Sequence, residues 1–444
     1  MRISVIGTGY VGLVSGACFA EVGHDVTCVD LDAAKVERIN AGKTPIHEEG
    51  LEAMLGRLVG TRLRATTDLA AAVQGSDITF IAVGTPFDGR HIDLGYIRES
   101  ARQIGAALRG KSGYHVVVVK STVVPGTTDD VVLPELERAS GMRAGADFGV
   151  GMNPEFLTEG VAVSDFMRPD RIVLGGIDAR SVDVQREVYA SFAQTPTLAT
   201  NNKTAEMIKY VSNSVLATLI SFSNEMGNLC STLGGVDVAD VMRGVHLARY
   251  FSSVLEDGSR VQAPISSFLW AGCGYGGSCL PKDTKALVAH GADRGLEMPL
   301  LDAVIHTNLA QPARMLALLE AQFPSLDGVT VALLGLAFKE DTDDMRESPA
   351  IPIARALVER GARVVAYDPI ANDAARAVLP AQISYAASLE QAIAGASALL
   401  LVTRWSEFRR LPQLLAGRAD APLLIDGRRI IEPGAVPRYA GIGM

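Results

Sequence analysis

The residues best suited to chemistry stand at Gly276-Gly277-Ser278-Cys279-Leu280-Pro281-Lys282-Asp283. A thiol here lies beside flexible backbone and just ahead of a predicted helix over residues 282–289. Pro281 suits the first turn of that helix, where its missing N–H costs nothing. A helix N-terminus offers unpaired N–H donors and a partial positive charge. Both favour a thiolate and an oxyanion formed beside it. Asp283 follows the thiol by four residues and so could lie near it. Taken alone, the segment fits a nucleophile and a buried Cys in a Gly-rich turn about equally.

A second constellation opens the chain. Arg2-Ile3-Ser4-Val5-Ile6 reads as a short strand, followed by Gly7-Thr8-Gly9-Tyr10-Val11-Gly12 and a predicted helix over residues 13–22. Gly23-His24-Asp25 turns back into a strand, Val26-Thr27-Cys28-Val29, that ends at Asp30. Strand, G-x-G-x-x-G, helix, strand and acid within about thirty residues is the dinucleotide fingerprint. The glycines allow a tight turn and a close approach of backbone to pyrophosphate, and the acid suits a ribose diol. Asp30 would repel a 2′-phosphate, so NAD is expected over NADP, with Lys35 close by as the opposing charge. The same spacing and return strand argue against a secretory leader in the apolar run after Arg2.

Other charged residues read more plainly. Glu206, Lys209 and Asn213 are spaced i, i+3, i+7 and share one helical face, a pattern commoner in a solvated stripe than in a site. Glu155 and Glu159, after Asn153-Pro154 at a strand end, read as solvent-facing acids. The run Phe338 to Glu347 reads as a surface loop.

The elements that must position these groups fall into three regions. Residues 1–198 alternate strands and helices, with strands at 78–83, 115–119, 148–152 and 172–175. Ligands of open parallel sheets lie outside the C-terminal strand ends, where Gly84-Thr85-Pro86, Ser121-Thr122-Val123 and Asn153-Pro154-Glu155 fall. Residues 204–233 lack Pro and read as one long helix, and 236–312 read as mostly helical. Val329–Leu336 opens a second alternating block whose next strand ends at Asp368, without a G-x-G-x-x-G. The fold class expected is α/β, with two Rossmann-like domains of parallel sheets joined by a long central helix.

The totals set outer limits. A chain of 444 residues with 48% hydrophobics can build two or three domains. A net charge of −9 disfavours nucleic acid as a partner. No run reaches the ~18 apolar residues of a membrane helix. Cys18, Cys28, Cys230, Cys273 and Cys279 are an odd number without paired spacing, which fits reduced thiols in the cytoplasm and no metal.

Seven motifs together resemble the UDP-glucose/GDP-mannose dehydrogenase family, the nucleotide-sugar 6-dehydrogenases, over essentially the whole chain. They are Gly7–Leu13, Gly84-Thr85-Pro86, Ser121-Thr122-Val123, Asn153-Pro154-Glu155-Phe156-Leu157, Glu206-Met207-Ile208-Lys209-Tyr210, Gly276–Asp283 and Gly335-Leu336-Ala337-Phe338-Lys339. The resemblance implies an NAD-binding Rossmann domain at 1–198, a central helical dimerisation domain carrying the cysteine at 199–312, and a Rossmann-like sugar-nucleotide domain at 313–444. It also implies a homodimer or higher homo-oligomer formed through the long helix. The implied reaction is a four-electron oxidation of a sugar C6 alcohol to the carboxylate by two NAD. Cys279 would be the nucleophile and Lys209 the cation for the C6 oxyanion, with Asn213 beside it. Asp283 would position water or accept a proton, Glu155 would activate water, and Thr122 would help hold it. The cofactor contacts implied are Gly7, Gly9, Tyr10, Val11, Gly12, Asp30, Lys35, Thr85, Pro86, Thr122, Glu159 and Arg346. Those to substrate are Phe156, Leu157, Lys209, Asn213, Tyr275, Gly276, Phe338, Lys339 and Arg428. Phe166–Arg171 and Asp426-Gly427-Arg428-Arg429 look most like UDP-glucose members. TDP-glucose, GDP-mannose and a UDP-N-acetylhexosamine are the alternatives. A one-step dehydrogenase and a silent NAD-binding regulator are further readings, the last opposed by intact Cys279, Lys209, Asn213, Asp283 and Glu155. One departure stands out. The family's partner-reaching Arg lies about sixteen residues before the nucleophile, whereas Arg249 lies thirty and Arg260 nineteen before Cys279, with residues 251–264 reading as an insertion.

Overall fold

The computed structural model describes residues 1–418 and 420–444. They form two compact units, Met1–Ser212 and Asn213–Met444.

The first unit is built on strands β1 (Arg2–Ile6), β2 (Asp25–Val29), β3 (Leu63–Thr66), β4 (Ile78–Ile81), β5 (His115–Val119), β6 (Phe148–Met152), β7 (Ile172–Gly176) and β8 (Thr197–Thr200). Their order is β3-β2-β1-β4-β5-β6-β7-β8, so the direction of travel reverses between β1 and β4. The inner strands β4, β5 and β6 are buried along their whole length because both faces are covered. On β5, Val116 and Val118 enter one core layer while Val117 and Val119 enter the other. The parallel sheet expected here carries one antiparallel pairing, toward its edge. The sheet is parallel as far as β6, but β7 is antiparallel to it and parallel to β8. Between β6 and β7 the chain forms only the short helix Ala162–Met167. It does not cross back to the starting end, as a parallel pairing requires, so β7 begins where β6 ends.

The helix α1 (Tyr10–Glu21) follows β1 with Gly9 as its N-cap. Gly7 sits at φ +99, in the region that favours glycine, and its N–H bonds the Val29 carbonyl at 2.7 Å. The long helix spans Asn202–Leu233 and runs through the division between the units.

In the second unit, the region expected to be mostly helical contains helices Val238–His246, Leu280–Ala292 and Pro299–Glu320. It also contains a hairpin of β9 (Ser252–Val254) and β10 (Arg260–Gln262), paired antiparallel. The 251–264 insertion is this hairpin, closed by Asp257-Gly258 turn chemistry, with Gly258 at φ +79. Arg249 and Arg260 are both exposed, and Arg260 donates to the Leu247 carbonyl at 3.2 Å. Strands of three residues are too short to give a periodic signal in sequence.

A second sheet carries β11 (Thr330–Leu334), β12 (Arg363–Tyr367), β13 (Ser384–Tyr385), β14 (Ala398–Leu401), β15 (Leu423–Asp426) and β16 (Tyr439–Gly441). Its order is β13-β12-β11-β14-β15-β16 and every pair is parallel. The first turns of the two sheets match in backbone and differ in use. Gly335 (φ +86) bonds the Tyr367 carbonyl at 2.8 Å, as Gly7 bonds Val29. The acid closing β12, Asp368, is 1% exposed and spends one oxygen on the N–H groups of Leu336 and Ala337 and the Trp405 indole. It is sealed inside, so its carboxylate is not free to take a ribose.

Two of the three glycines of the first turn, Gly12 and Gly9, predict opposite failures. A methyl on Gly12 would collide with the Gly7 carbonyl oxygen, whereas one on Gly9 would meet no atom of the chain within 4 Å. Gly12→Ala should therefore lower the melting temperature. Gly9→Ala should melt like the wild type yet bind NAD at least ~10-fold more weakly, about 1.4 kcal/mol, because its methyl takes the space where a pyrophosphate approaches. Calorimetry and a binding titration separate the two, and unchanged NAD affinity in Gly9→Ala refutes the assignment of this turn.

Candidate active site

The dinucleotide turn fits its expected occupant. α1 is uncapped by any side chain and has no acid in its first turn, so its leading N–H groups are left for an anion. Gly9 is exposed and Gly7, Tyr10 and Val11 are half-buried at this end of β1. Asp30 receives the Thr8 N–H at 3.0 Å, the Thr8 hydroxyl at 2.5 Å and the Asp32 N–H at 3.0 Å. Burial alone would raise its pKa. These hydrogen bonds and the nearby Lys35 charge bring it below the usual carboxylate range. Asp30 is therefore a fixed negative charge at the end of β2, with Lys35 exposed beside it. Across the switch point, Thr85 donates to the Thr122 carbonyl at 2.9 Å, which links the loops after β4 and β5. Pro86 next to it is exposed.

The helical stripe of charge is buried, contrary to the solvated reading of its spacing. Glu206 is 0% exposed and Lys209 4%. Glu206 accepts from the Gly126 N–H (2.6 Å), the Thr128 N–H (2.8 Å) and the Thr128 hydroxyl (2.7 Å). It thereby fastens the long helix to the loop after β5. Burial pushes its pKa up to about 7 despite these bonds. Glu155 is likewise not solvent-facing. Its carboxylate lies 2.9 Å from the Lys209 ammonium, with both side chains 5% exposed. Its other oxygen takes the Leu157 N–H at 2.7 Å. Burial would raise the Glu155 pKa, but Lys209, the Leu157 N–H and Lys120 together hold it below the usual range. Phe156 lies under the Arg171 guanidinium, 3.7 Å from its ring centre, with the Lys209 ammonium at 5.6 Å. Glu159 stands half-buried in the same loop, and Leu157 packs against the core.

In the second unit, Cys279 is itself the N-cap residue of the Leu280–Ala292 helix, with Pro281 in the first turn. The thiol is partly exposed, whereas Cys18, Cys28, Cys230 and Cys273 are buried. Its sulfur lies 3.5 Å from the Ser278 hydroxyl. Asp283 is 0% exposed. Its N–H closes the first turn on the Cys279 carbonyl at 2.8 Å. Its carboxylate takes the Asn213 amide at 2.7 Å and the Lys282 ammonium at 2.6 Å. The expected trio of Cys279, Asp283 and Asn213 is thus connected through one helix turn and one side-chain hydrogen bond.

The glycines ahead of the thiol are packed against the loop after β11. A methyl on Gly276 would strike the Glu347 carbonyl, and one on Gly277 (φ +87) would lie 2.7 Å from the Phe338 ring. Tyr275 is held by Asn308, which accepts its N–H at 2.8 Å and donates to its carbonyl at 3.0 Å. Lys339 is half-buried and donates to the Glu340 carbonyl at 3.1 Å. Arg428 follows β15 and donates to the Val402 carbonyl at 2.6 Å. Phe338, Lys339 and Arg428 therefore gather at the C-terminal strand ends of the second sheet, where ligands of such sheets bind. Arg346 is exposed and paired with Asp344 at 2.7 Å.

Two residues here escaped the sequence reading. Lys120 is wholly buried, donating to Asn153 at 2.8 Å and the Tyr189 hydroxyl at 3.3 Å. Burial pulls its pKa down to about 8. It fixes the start of the Glu155 loop and adds positive charge near that carboxylate. Arg404 follows β14, and its largely buried guanidinium lies near the like charge of Arg428, with its pKa lowered by burial and then by that neighbour. A strand-end position was the available signal for both, since each stands within three residues of the end of a buried strand.

Comparison with known proteins matches three consecutive parts of one family. The model for the UDP-glucose/GDP-mannose dehydrogenase family, NAD binding domain, matches residues 1–193. That for its central domain matches 203–310 and that for its UDP binding domain 332–433. The chain is 45% identical to the UDP-glucose 6-dehydrogenase of Haloferax volcanii, with 97% of each chain covered. It is 44% identical to that of Rhizobium meliloti, covering 100% of this chain and 99% of the relative. The solved structure of a UDP-glucose dehydrogenase from Pyrobaculum islandicum superimposes with a TM-score of 0.89 at 40% identity, covering 99% of this chain and 97% of that one.

The Glu155–Lys209 pair makes a stability prediction. Breaking a buried ion pair from one side leaves a desolvated charge and costs about 3–5 kcal/mol, whereas replacing both partners with apolar groups is often neutral. Lys209→Met should cost stability in denaturant titration, and the double variant Lys209→Met/Glu155→Leu should recover most of it. The sign with pH follows. In the wild type Glu155 titrates below its unfolded value, so its contribution is present above about 4.5 and lost as pH falls. Without Lys209 its pKa rises, and the deficit should be larger at pH 8 than at pH 5. A single variant as stable as the wild type at pH 8 contradicts the pairing.

Proposed function

This chain belongs to the UDP-glucose/GDP-mannose dehydrogenase family, and from that premise we propose that it oxidises UDP-glucose to UDP-glucuronate through a covalent intermediate on Cys279. The coarser statement stands on the family itself: the protein is an NAD-dependent nucleotide-sugar 6-dehydrogenase. The observation that carries the finer reading is the partly exposed Cys279 at a helix N-terminus, one turn from a buried Asp283 that is bonded to Asn213.

NAD+ supplies a hydride acceptor, used twice per substrate. The chain's own residues do the rest. In the first step the C6 alcohol loses a hydride and a proton, giving the aldehyde, and Lys209 stabilises the negative charge that develops on O6. The Cys279 thiolate then adds to the aldehyde carbon, forming a C–S bond and a thiohemiacetal oxyanion. Loss of the second hydride from that carbon leaves a thioester. Water, deprotonated by Glu155 with Thr122 helping to hold it, attacks the thioester. The C–S bond breaks, the carboxylate leaves and the thiolate returns. Asp283 positions water or accepts a proton, and Asn213 orients Asp283. Asp30 and the Gly7–Gly12 turn hold the dinucleotide, with Tyr10, Val11, Lys35, Thr85, Pro86, Glu159 and Arg346 as further contacts. Phe156, Leu157, Tyr275, Gly276, Phe338, Lys339 and Arg428 take the sugar and its nucleotide. Residues 1–198, 199–312 and 313–444 serve as cofactor, central and nucleotide parts. UDP is favoured by the match to a UDP binding domain and by relatives named UDP-glucose 6-dehydrogenases.

We also propose a homodimer through the long helix. Met207, Val211, Val215, Phe222, Leu229 and Leu233 are all exposed along it. Such a row of apolar side chains is costly in water and fits a second copy. The five cysteines, none of them in a disulfide, fit work in the cytoplasm. Among the described residues no helix is long and apolar enough to cross a membrane.

Two measurements test these readings. Against a panel of sugar nucleotides, UDP-glucose should give the highest kcat/KM and two NADH per molecule consumed. Cys279→Ala should lose turnover by several orders of magnitude, as removal of a nucleophile commonly does. A Cys279→Ala enzyme still making uronic acid at near-normal rates rules out the covalent route. In sedimentation, the wild type should run as a dimer or larger and Phe222→Glu/Leu229→Glu as a smaller species, and a monomeric wild type removes the interface.

A further inference from the structure

Glu48 takes no part in the chemistry above and lies in the irregular segment between residues 41 and 50, yet it is only 5% exposed. Its carboxylate collects donors from two distant parts of the first unit. The Tyr10 hydroxyl, from the dinucleotide turn, donates to Oε2. The Gly160 N–H donates to the same oxygen at 2.8 Å, and the Val163 N–H to Oε1 at 3.3 Å. Gly160 N–H also lies 2.8 Å from the Tyr10 oxygen, and that hydroxyl lies 3.2 Å from the Thr158 carbonyl. Tyr10, Glu48 and Gly160 therefore form a closed triangle of hydrogen bonds. Burial and then the Glu48 carboxylate push the Tyr10 pKa far up, so Tyr10 remains a donor at any working pH.

The triangle closes a loop that is otherwise held by the Thr158 N–H, which donates to the Asp165 carboxylate at 2.9 Å, and at its start. Asn153 is fixed there by Lys120 and by its own bond to the Val173 carbonyl at 2.9 Å. From Pro154 to Glu159 the chain forms neither helix nor strand, and it carries Glu155, Phe156, Leu157 and Glu159. Its far end is Gly160, at φ +90, a backbone form that suits glycine. A loop with both ends fixed has fewer conformations in which to lose the Glu155–Lys209 contact.

We infer that Glu48 is a positioning residue for the reaction: through Tyr10 and Gly160 it sets the Glu155–Glu159 loop against the dinucleotide turn. It thus fixes where the water-activating carboxylate and the sugar-lining side chains stand. The inference rests on the functional reading above for what those loop residues do, while the loop's dependence on Glu48 is a separate, physical claim.

Glu48→Gln tests it, because the amide keeps the shape but offers one carbonyl oxygen to three donors and turns an NH2 group toward another. Hydrogen exchange of residues 157–163 should be faster in the variant, with the melting temperature within a few degrees of wild type. At saturating NAD, kcat/KM for UDP-glucose should fall at least ~10-fold, while the NAD dissociation constant stays within about threefold. Slower thioester hydrolysis should raise the fraction of enzyme carrying an adduct on Cys279 in steady-state mass spectrometry. Tyr10→Phe/Glu48→Gln should cost no more than the worse single variant, as members of one network do. Unchanged exchange of 157–163, or a kcat/KM within about threefold of wild type, overturns the inference, as does a loss that falls equally on NAD binding. If Glu48→Gln cannot be recovered folded, Tyr10→Phe removes two sides of the triangle, and faster hydrogen exchange of residues 157–163 is then the deciding readout, because Tyr10 is itself a cofactor contact. A wild type inactive on every sugar nucleotide would defeat the functional reading instead, and the exchange measurement would still decide the role of Glu48.

Discussion

The Glu155–Lys209 ion pair is the constraint around which the first unit's chemistry is organised. Two opposite charges, each 5% exposed, are tolerated only because they lie 2.9 Å apart and have further partners. Each partner is in turn held by something rigid. Lys209 rides on the long helix, which Glu206 bolts to the loop after β5 through three short hydrogen bonds. Glu155 rides on a loop fixed at Asn153 by Lys120 and at Gly160 by Glu48. Three charged side chains outside the expected reaction steps, Glu206, Lys120 and Glu48, thus supply the geometry for two within them. Buried charge of this kind is weak evidence for stability but good evidence for position, since a misplaced member would be left desolvated.

The two sheets display one backbone solution used for two purposes. Both have the order 3-2-1-4-5-6 at their cores, and both begin with a positive-φ glycine whose N–H reaches the end of the second strand. In the first, Gly9 leaves an open space and an uncapped helix follows at once. In the second, the chain runs on to Pro349 before helix Ala350–Glu359 begins. Asp368 is used up inside the protein. The cationic residues Lys339, Arg404 and Arg428 instead gather at strand ends, which suits a ligand with its own negative charge.

Much of this was legible in the sequence because it depends on local backbone chemistry. The glycine turn, the strand–helix alternation, the long Pro-free helix and the thiol placed by Pro281 at a helix start each follow from a few adjacent residues. Where local signals were weak, the reading failed. The hairpin at 252–262 was read as part of a helical region because its strands are three residues long. The antiparallel β7 was missed because direction depends on where the 153–171 segment returns, which no residue type encodes.

The sequence by itself determined the elements, the dinucleotide turn, the family and the identity of the residues that could react. Only the tertiary structure decided their surroundings. Glu155 and the Glu206–Lys209–Asn213 face read as solvated from spacing, yet all are buried, because burial is set by what the fold packs over a residue rather than by its neighbours in the chain. Glu48 carried no signal at all, and Lys120 only its place at a strand end. Glu48 acts on Gly160, 112 positions away, and Lys120 on Asn153, 33 positions away. Contacts at such separations exist only once the sheet has brought its strand ends together.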